Sequence, residues 1–141
     1  MADTMNHGEL GIIALKSCAK LGGLANDRIK ALRGITDPNF TYLVPHEEVR
    51  FNNGEGKIKL LDSVRGKDIY VLADVGNYSC TYNTFGYTNH YAPDEHFQDI
   101  KRVISAIGGK ANRVTVIMPL LYASRQHRRK GRESMDCAMA L

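Results

Sequence analysis

The chain of 141 residues has the length of one domain, and its 43% hydrophobic and 24% charged content is that of a soluble globular protein rather than a disordered or low-complexity one. Its longest apolar stretches, such as Val114–Leu121, are too short to cross a bilayer. No basic-then-apolar leader opens the chain, so secretion has no support and a cytoplasmic location is expected. The formal net charge of +4 is mild, yet Arg125, Arg128, Arg129, Lys130 and Arg132 fall within eight residues, a density that points to phosphates on a nucleotide or a nucleic acid.

Met1–Glu9 is polar and expected to be a flexible N-terminus, leaving 10–141 as the folded domain. Leu10, Ile13, Ala14, Ser17, Leu21 and Leu24 keep a helical spacing, so much of Gly11–Arg33 is predicted as one or two helices, with Gly22-Gly23 as the break. Thr36–Asn39 is turn chemistry before a short β-rich run, Phe40–Val44. Asn52-Asn53-Gly54 is a second turn between extended pieces, and Ile58–Leu61 is a strand. Ile69–Ala73 is an uninterrupted apolar run of buried-strand type. After it comes a long loop, Asp74–Pro93, whose length suits a functional or mobile segment. Its tyrosines Tyr78, Tyr82, Tyr87 and Tyr91 could line a ligand or an oligomer contact, and a mobile surface insertion is the plainer reading. Asp94 suits an N-cap for the clearest helix, whose apolar face is Phe97, Ile100, Val103, Ile104 and Ile107. Gly108-Gly109 stops it. Val114–Met118 is a further strand, the basic loop follows, and a last helix is predicted from near Glu133.

Strand, helix and strand over Ile69–Met118 form a βαβ unit, which crosses over into a parallel sheet. The predicted class is therefore α/β, a three-layer sandwich with a mainly parallel sheet. Ligands in such sheets bind beyond the carboxyl ends of the strands, which puts Asp74–Pro93 and Leu120–Arg132 beside a site. The last helix carries Met135, Ala138, Met139 and Leu141 and stops without a cap, so the chain is expected to belong to a longer protein, truncated in that helix. Cys18, Cys80 and Cys137 show neither a disulfide pattern nor zinc-ligand spacing, and no metal site is expected within the chain.

Two segments carry the chemistry. Phe51-Asn52-Asn53-Gly54-Glu55 is followed closely by Ser63-Val64-Arg65-Gly66-Lys67-Asp68. Val116-Ile117-Met118-Pro119 leads to Arg125-Gln126-His127-Arg128. In order and spacing, over about Val49–Leu141, these motifs resemble the N-terminal half of ribose-phosphate pyrophosphokinases, which carry F-S-D-G-E, V-R-G-[KR]-D, an I-P strand end and R-Q-D-[RK]. The stretch Thr4–His46 matches more loosely. The resemblance implies a phosphoribosyltransferase-like fold and an ATP-binding and oligomerisation domain. It also implies that the Phe51 turn completes the ATP site of a neighbouring subunit in a homo-oligomer. Phe51 would face the base, with Asn53 and Glu55 hydrogen-bonding there. Arg125 and Gln126 would contact ATP, and Arg128 would raise the local potential for its phosphates. Ser63 and Arg65 resemble positions that help to bind a regulatory phosphate, the rival reading being a polar turn into a strand.

The implied reaction moves the diphosphoryl group of ATP, as its Mg²⁺ complex, to ribose 5-phosphate, giving phosphoribosyl diphosphate and AMP. The family's metal-binding His, catalytic Lys-Arg loop and D-D-x-x-x-T-G-G-T loop have no counterpart in these residues. No catalytic residue is expected here, and the chain by itself is expected to be inactive. Asn53 and His127 stand where the family has Asp, which leaves a non-catalytic regulatory homologue as the alternative. A nucleic-acid module is less favoured, because the basic cluster has little aromatic interleaving.

Overall fold

A computed structural model describes residues 7–140, so Met1–Asn6 of the expected flexible terminus and Leu141 lie outside it. Gly8 and Glu9 are fixed rather than frayed. Gly8, at φ +100°, packs so closely on the Gly66 carbonyl that a side chain would have no room. The Glu9 carbonyl accepts from the Asp68 amide at 2.8 Å.

The first element corrects the helical reading of the N-terminus. Leu10–Ala14 is a strand, β1, and the helix starts only after a 3₁₀ turn, running as α1 over Ala19–Leu32. Gly22-Gly23 does not break that helix. Gly22 lies against the Ala14 side chain and lets α1 close on the strand, whereas Gly23 faces open space. Phe40–Val44 forms no strand. It meets β1 through a single bridge, in which Ile12 donates to the Tyr42 carbonyl at 2.7 Å and Val44 donates to the Ile12 carbonyl at 2.8 Å.

An antiparallel hairpin follows, β2 (His46–Arg50) and β3 (Gly56–Leu60), with the Asn52-Asn53-Gly54 turn at its tip as expected. The central strand β4 is Asp68–Leu72. The segment read as one long loop contains a second hairpin, β5 (Thr81–Thr84) and β6 (Tyr87–His90), joined by Phe85 and Gly86, both at positive φ. That backbone is the hairpin turn whose twist matches the strands it joins. Then come α2 (Pro93–Ile107), β7 (Arg113–Ile117) and α3 (Asp136–Ala140). Asp94 is not the cap of α2. Ala92 holds that place, its amide donating to Glu95 Oε2 at 2.7 Å, and Pro93 fills the first helical position, where no amide donor is needed.

β1, β4 and β7 form one parallel sheet in the order β1-β4-β7. Strand alternation divides the core. Ile13, Ile69 and Val71 pack against Ile100, Val103 and Ile107 of α2, joined by Ile58 and Leu60 of the first hairpin. On the other face Ile12, Tyr70 and Leu72 pack with Ile29 of α1 and with Tyr42. The helix–sheet–helix sandwich expected from the sequence is present. Among the described residues β7 pairs on one side only, and Val114 and Ile117 remain partly exposed.

Two polar contacts tie neighbouring elements together. Asn26 of α1 is buried, and its Oδ1 accepts from the Tyr42 amide at 2.9 Å and the Thr41 hydroxyl at 3.1 Å. Replacing Asn26 by Ala leaves the buried Tyr42 donor without its acceptor, which costs about 1–3 kcal/mol, to be read from denaturant unfolding. Asp68 of β4 is also buried and takes two bonds from Arg113 of β7, one of them from Nε at 2.8 Å. Hydrogen bonding to Arg113 holds the Asp68 carboxyl below its ordinary range. Its contribution to stability is therefore full above the unfolded-state value of about 3.9 and is lost as pH falls through the lower folded value. Asp68→Asn is expected to flatten the acid limb of a stability–pH curve in that window while leaving the neutral limb parallel.

Candidate functional site

The Phe51–Glu55 turn is built from its own backbone and its own side chains. Phe51 donates to the Glu55 carbonyl at 2.8 Å, and Gly54, at φ +91°, donates to the Phe51 carbonyl at 2.9 Å. Only a residue without a Cβ adopts that conformation at low cost. Asn53 then closes the turn twice, its Oδ1 accepting from the Glu55 amide at 3.1 Å and its Nδ2 donating to Glu55 Oε2 at 3.0 Å. The second bond needs an amide, because a carboxylate at position 53 has no proton to give. Phe51 stays 48% exposed, so its ring is free to meet a flat ligand.

The basic loop leaves the carboxyl end of β7 and is anchored on α2. The Tyr122 hydroxyl donates to Asp94 Oδ1 at 2.7 Å, and the Tyr122 ring stacks on Phe97 with centroids 4.1 Å apart. Hydrogen bonding to Asp94 raises the Tyr122 hydroxyl above its usual pKa, so it stays protonated as the donor. Ala123 sits in the left-handed region at φ +53°, then Ser124–Gln126 forms a 3₁₀ turn. A non-glycine residue there costs about 1 kcal/mol or more, a strain that gathers at functional loops.

Beyond it lies a cleft of about 610 Å³ lined by Arg125, Gln126, His127, Arg128, Lys130 and Glu133. None of the basic side chains from Arg125 to Arg132 has an acidic partner among the described residues. The single carboxylate in the cleft is engaged elsewhere. Glu133 accepts the backbone amides of Lys130 and Gly131 at 2.5 and 2.7 Å, and those amides hold its pKa down. His127 shares Nδ1 with the Ser124 carbonyl at 3.0 Å, which leaves Nε2 facing outward. The charge arrangement is thus a row of uncompensated cations around a concave wall, suited to a polyanion.

The two predicted halves of the site are not in contact. The turn does not line the basic cleft, and no hydrogen bond or ion pair joins them among the described residues. Both are instead tied to the first turns of α2, the turn through Arg50 and Asp99 and the loop through Tyr122 and Asp94. Ser63 and Arg65 form a polar turn entering β4. Ser63 Oγ accepts from the Arg65 amide at 3.3 Å, and both side chains are exposed. A larger cavity of about 730 Å³ lies along the α1 face, lined by apolar residues such as Ile12, Ile29, Leu72 and Ile117. None of the predicted site residues reaches it. Among the described residues no three His, Cys, Asp or Glu side chains are placed to hold a metal ion. The three cysteines are buried and unpaired, and among the described residues no helix is long and apolar enough to cross a membrane.

Sequence reasoning missed the supports Arg50, Asp99 and Tyr122. An ordinary strand Arg and helix Asp carry no local signal of partners 49 residues apart.

Comparison with known proteins bears on the family and the fold. A family model described as the N-terminal domain of ribose phosphate pyrophosphokinase matches residues 11–141. Ribose-phosphate pyrophosphokinase 1 of Schizosaccharomyces pombe is 33% identical over 92 residues, which make up 64% of this chain and 19% of that protein. The crystal structure of phosphoribosylpyrophosphate synthetase from Mycobacterium smegmatis matches with a TM-score of 0.65 at 20% identity, over 94% of this chain and 37% of that one. At that identity the likeness is one of fold, and the chain spans well under half the length of either relative.

Asn53→Asp tests the turn. Two carboxylates would replace the Asn53–Glu55 bond, and stability is expected to fall by roughly 0.5–1 kcal/mol in dilute buffer, the scale of exposed charge contacts. Thermal melts should show the loss shrinking at about 1 M salt, where the Debye length is near 3 Å.

Proposed function

Because the chain belongs to the family of N-terminal domains of ribose phosphate pyrophosphokinase, we propose that it holds ATP for diphosphoryl transfer to ribose 5-phosphate. The observation that carries this reading is the basic cleft at the carboxyl end of β7, whose cations lack acidic partners. Arg125 and Arg128 would grip phosphate oxygens, and Gln126 would read the base or the ribose. Phe51, Asn53 and Glu55 would take the adenine of a neighbouring subunit's ATP. The separation of turn from cleft within one chain supports such sharing in a homo-oligomer. Ser63 and Arg65, exposed before β4, are the pair we assign to a regulatory phosphate. We place the protein in the cytoplasm.

In the whole protein the anomeric hydroxyl of ribose 5-phosphate would attack the β-phosphorus of ATP, and AMP would leave. The residues of this chain act by binding and orienting, with cations set against the charge of the triphosphate. Mg²⁺ would arrive on the nucleotide, since the cleft has no carboxylate cluster for it. By itself the chain is proposed to form no AMP. A non-catalytic regulatory role is the second reading, favoured by Asn53 and His127. Lack of turnover by the whole protein under saturating substrates would select it.

Calorimetric titration of ATP into the protein tests the central proposal. Arg125→Ala is expected to weaken binding by roughly 1.5–3 kcal/mol, the range for hydrogen bonds to charged groups. Equal affinity for wild type and variant, or an absence of ATP binding with tight binding of RNA, would refute it.

A further inference from the structure

The turn assigned to adenine sits at the tip of a two-stranded hairpin, and such a hairpin is marginal by itself in water. Its own bonds close it, but they do not aim it. The residue that does so is Arg50, the last of β2, whose side chain is only 7% exposed. Nη2 donates to Asp99 Oδ2 of α2 at 2.7 Å, and Nη1 reaches the Gly54 carbonyl inside the turn in a long bond of 3.4 Å. The guanidinium carbon lies 4.6 Å from the Tyr91 ring centre and 5.3 Å from that of Tyr82. Those two rings meet edge to face, with centroids 5.3 Å apart.

Each partner is itself held. Asp99 takes Arg102 Nη1 on its other oxygen at 2.6 Å, so one buried carboxylate fixes two guanidinium groups. Both pass over Gly56, where a Cβ would meet them at 2.5 and 2.6 Å. Tyr91 is buried against His96, whose Nε2 lies 2.9 Å from the Asn77 carbonyl. Glu95 raises the Tyr82 hydroxyl above its usual pKa, and that hydroxyl lies 3.9 Å from where a Cβ on Gly54 would stand. Arg50 Nε is buried with no partner, a cost that an arginine chosen for stability alone would not carry.

We infer that Arg50 and the β5–β6 hairpin form a positioning device for the Phe51–Glu55 turn, through which the β4–α2 crossover tunes adenine nucleotide affinity without touching the nucleotide. Tyr82 and Tyr91 hold the guanidinium plane, and the guanidinium holds the turn. This rests on the assignment of the turn to adenine, but its first test does not.

That test is amide hydrogen exchange in the full chain, comparing wild type with Arg50→Lys and Tyr82→Ala. Lysine keeps the charge and loses the fork that reaches Asp99 and Gly54 together. Tyr82→Ala removes a half-exposed ring and keeps the experiment decisive if the buried lysine unfolds the chain. The Phe51 and Gly54 amides are expected to exchange at least about tenfold faster, with Val71 and Val103 in the core unchanged. Equal turn exchange in wild type and Tyr82→Ala would overturn the inference. Affinities for ATP and for inorganic triphosphate, which has no base, form the second arm. Tyr82→Ala should weaken ATP about three- to tenfold, as lost preorganisation does, and leave triphosphate unchanged. If Phe51→Ala weakens ATP while Tyr82→Ala does not, the positioning role is wrong. If Phe51→Ala has no effect, the adenine assignment fails, and the exchange rates still decide whether the turn is held from the hairpin.

Discussion

Parallel pairing of β1, β4 and β7 is the constraint from which the rest of the structure follows. Parallel neighbours cannot be joined by a tight turn, so each strand must send the chain back across the whole sheet before the next begins. The first return uses α1 and the β2–β3 hairpin, and the second uses the β5–β6 hairpin and α2. Each crossover thus carries one helix to cover a face and one hairpin, the first of them packed against α2 through Ile58 and Leu60. The hairpins are where this chain places its most unusual side chains, and the helices give them something rigid to hold.

α2 unites the two halves of the candidate site. Its inward side, Ile100, Val103 and Ile107, is spent on the sheet, which fixes its axis. Its remaining surface is divided by position. Asp94 and Phe97 take Tyr122 at the root of the basic loop, while Asp99 and Arg102 take Arg50 and Gly56 of the first hairpin. Elements separated in sequence by seventy residues are thereby referred to a single rigid body, and among the described residues no hydrogen bond or ion pair joins them directly. A subunit-sharing site needs that property, because each half must be accurate relative to the sheet rather than to its own chain's other half.

How much of this was legible in the sequence depended on whether a signal was local. The apolar runs Ile69–Ala73 and Val114–Met118 are strands to within a residue, and the face of α2 is where its periodicity put it except at Ile104, which stays 44% exposed. The Asn52-Asn53-Gly54 turn also stands as read. β1 was misassigned because five residues of Leu-Gly-Ile-Ile-Ala sit just before a true helix, and a 3.6-residue period can be drawn through both. Gly22 looked like a breaker, while its role is to let α1 approach Ala14. The β5–β6 hairpin was hidden because its strands are four residues each and its turn is Phe-Gly rather than an asparagine–glycine pair. Site motifs were visible as words, but their supports were not, since Arg50 and Asp99 acquire meaning only once folding makes them neighbours.

The one-sided pairing of β7 has a consequence for the molecule in solution. Alternate amides and carbonyls of Arg113–Ile117 point outward along a ready-made template for another extended backbone, with Val114 and Ile117 partly exposed beside it. Little guards this edge: Arg113 is committed to Asp68 and Lys110 lies just before the strand. Antiparallel pairing of this edge with the same edge of a second copy would extend the sheet about a two-fold axis. Such a contact closes on itself, and added charge near Val114 would suppress it while leaving the Phe51 turn and the basic cleft untouched.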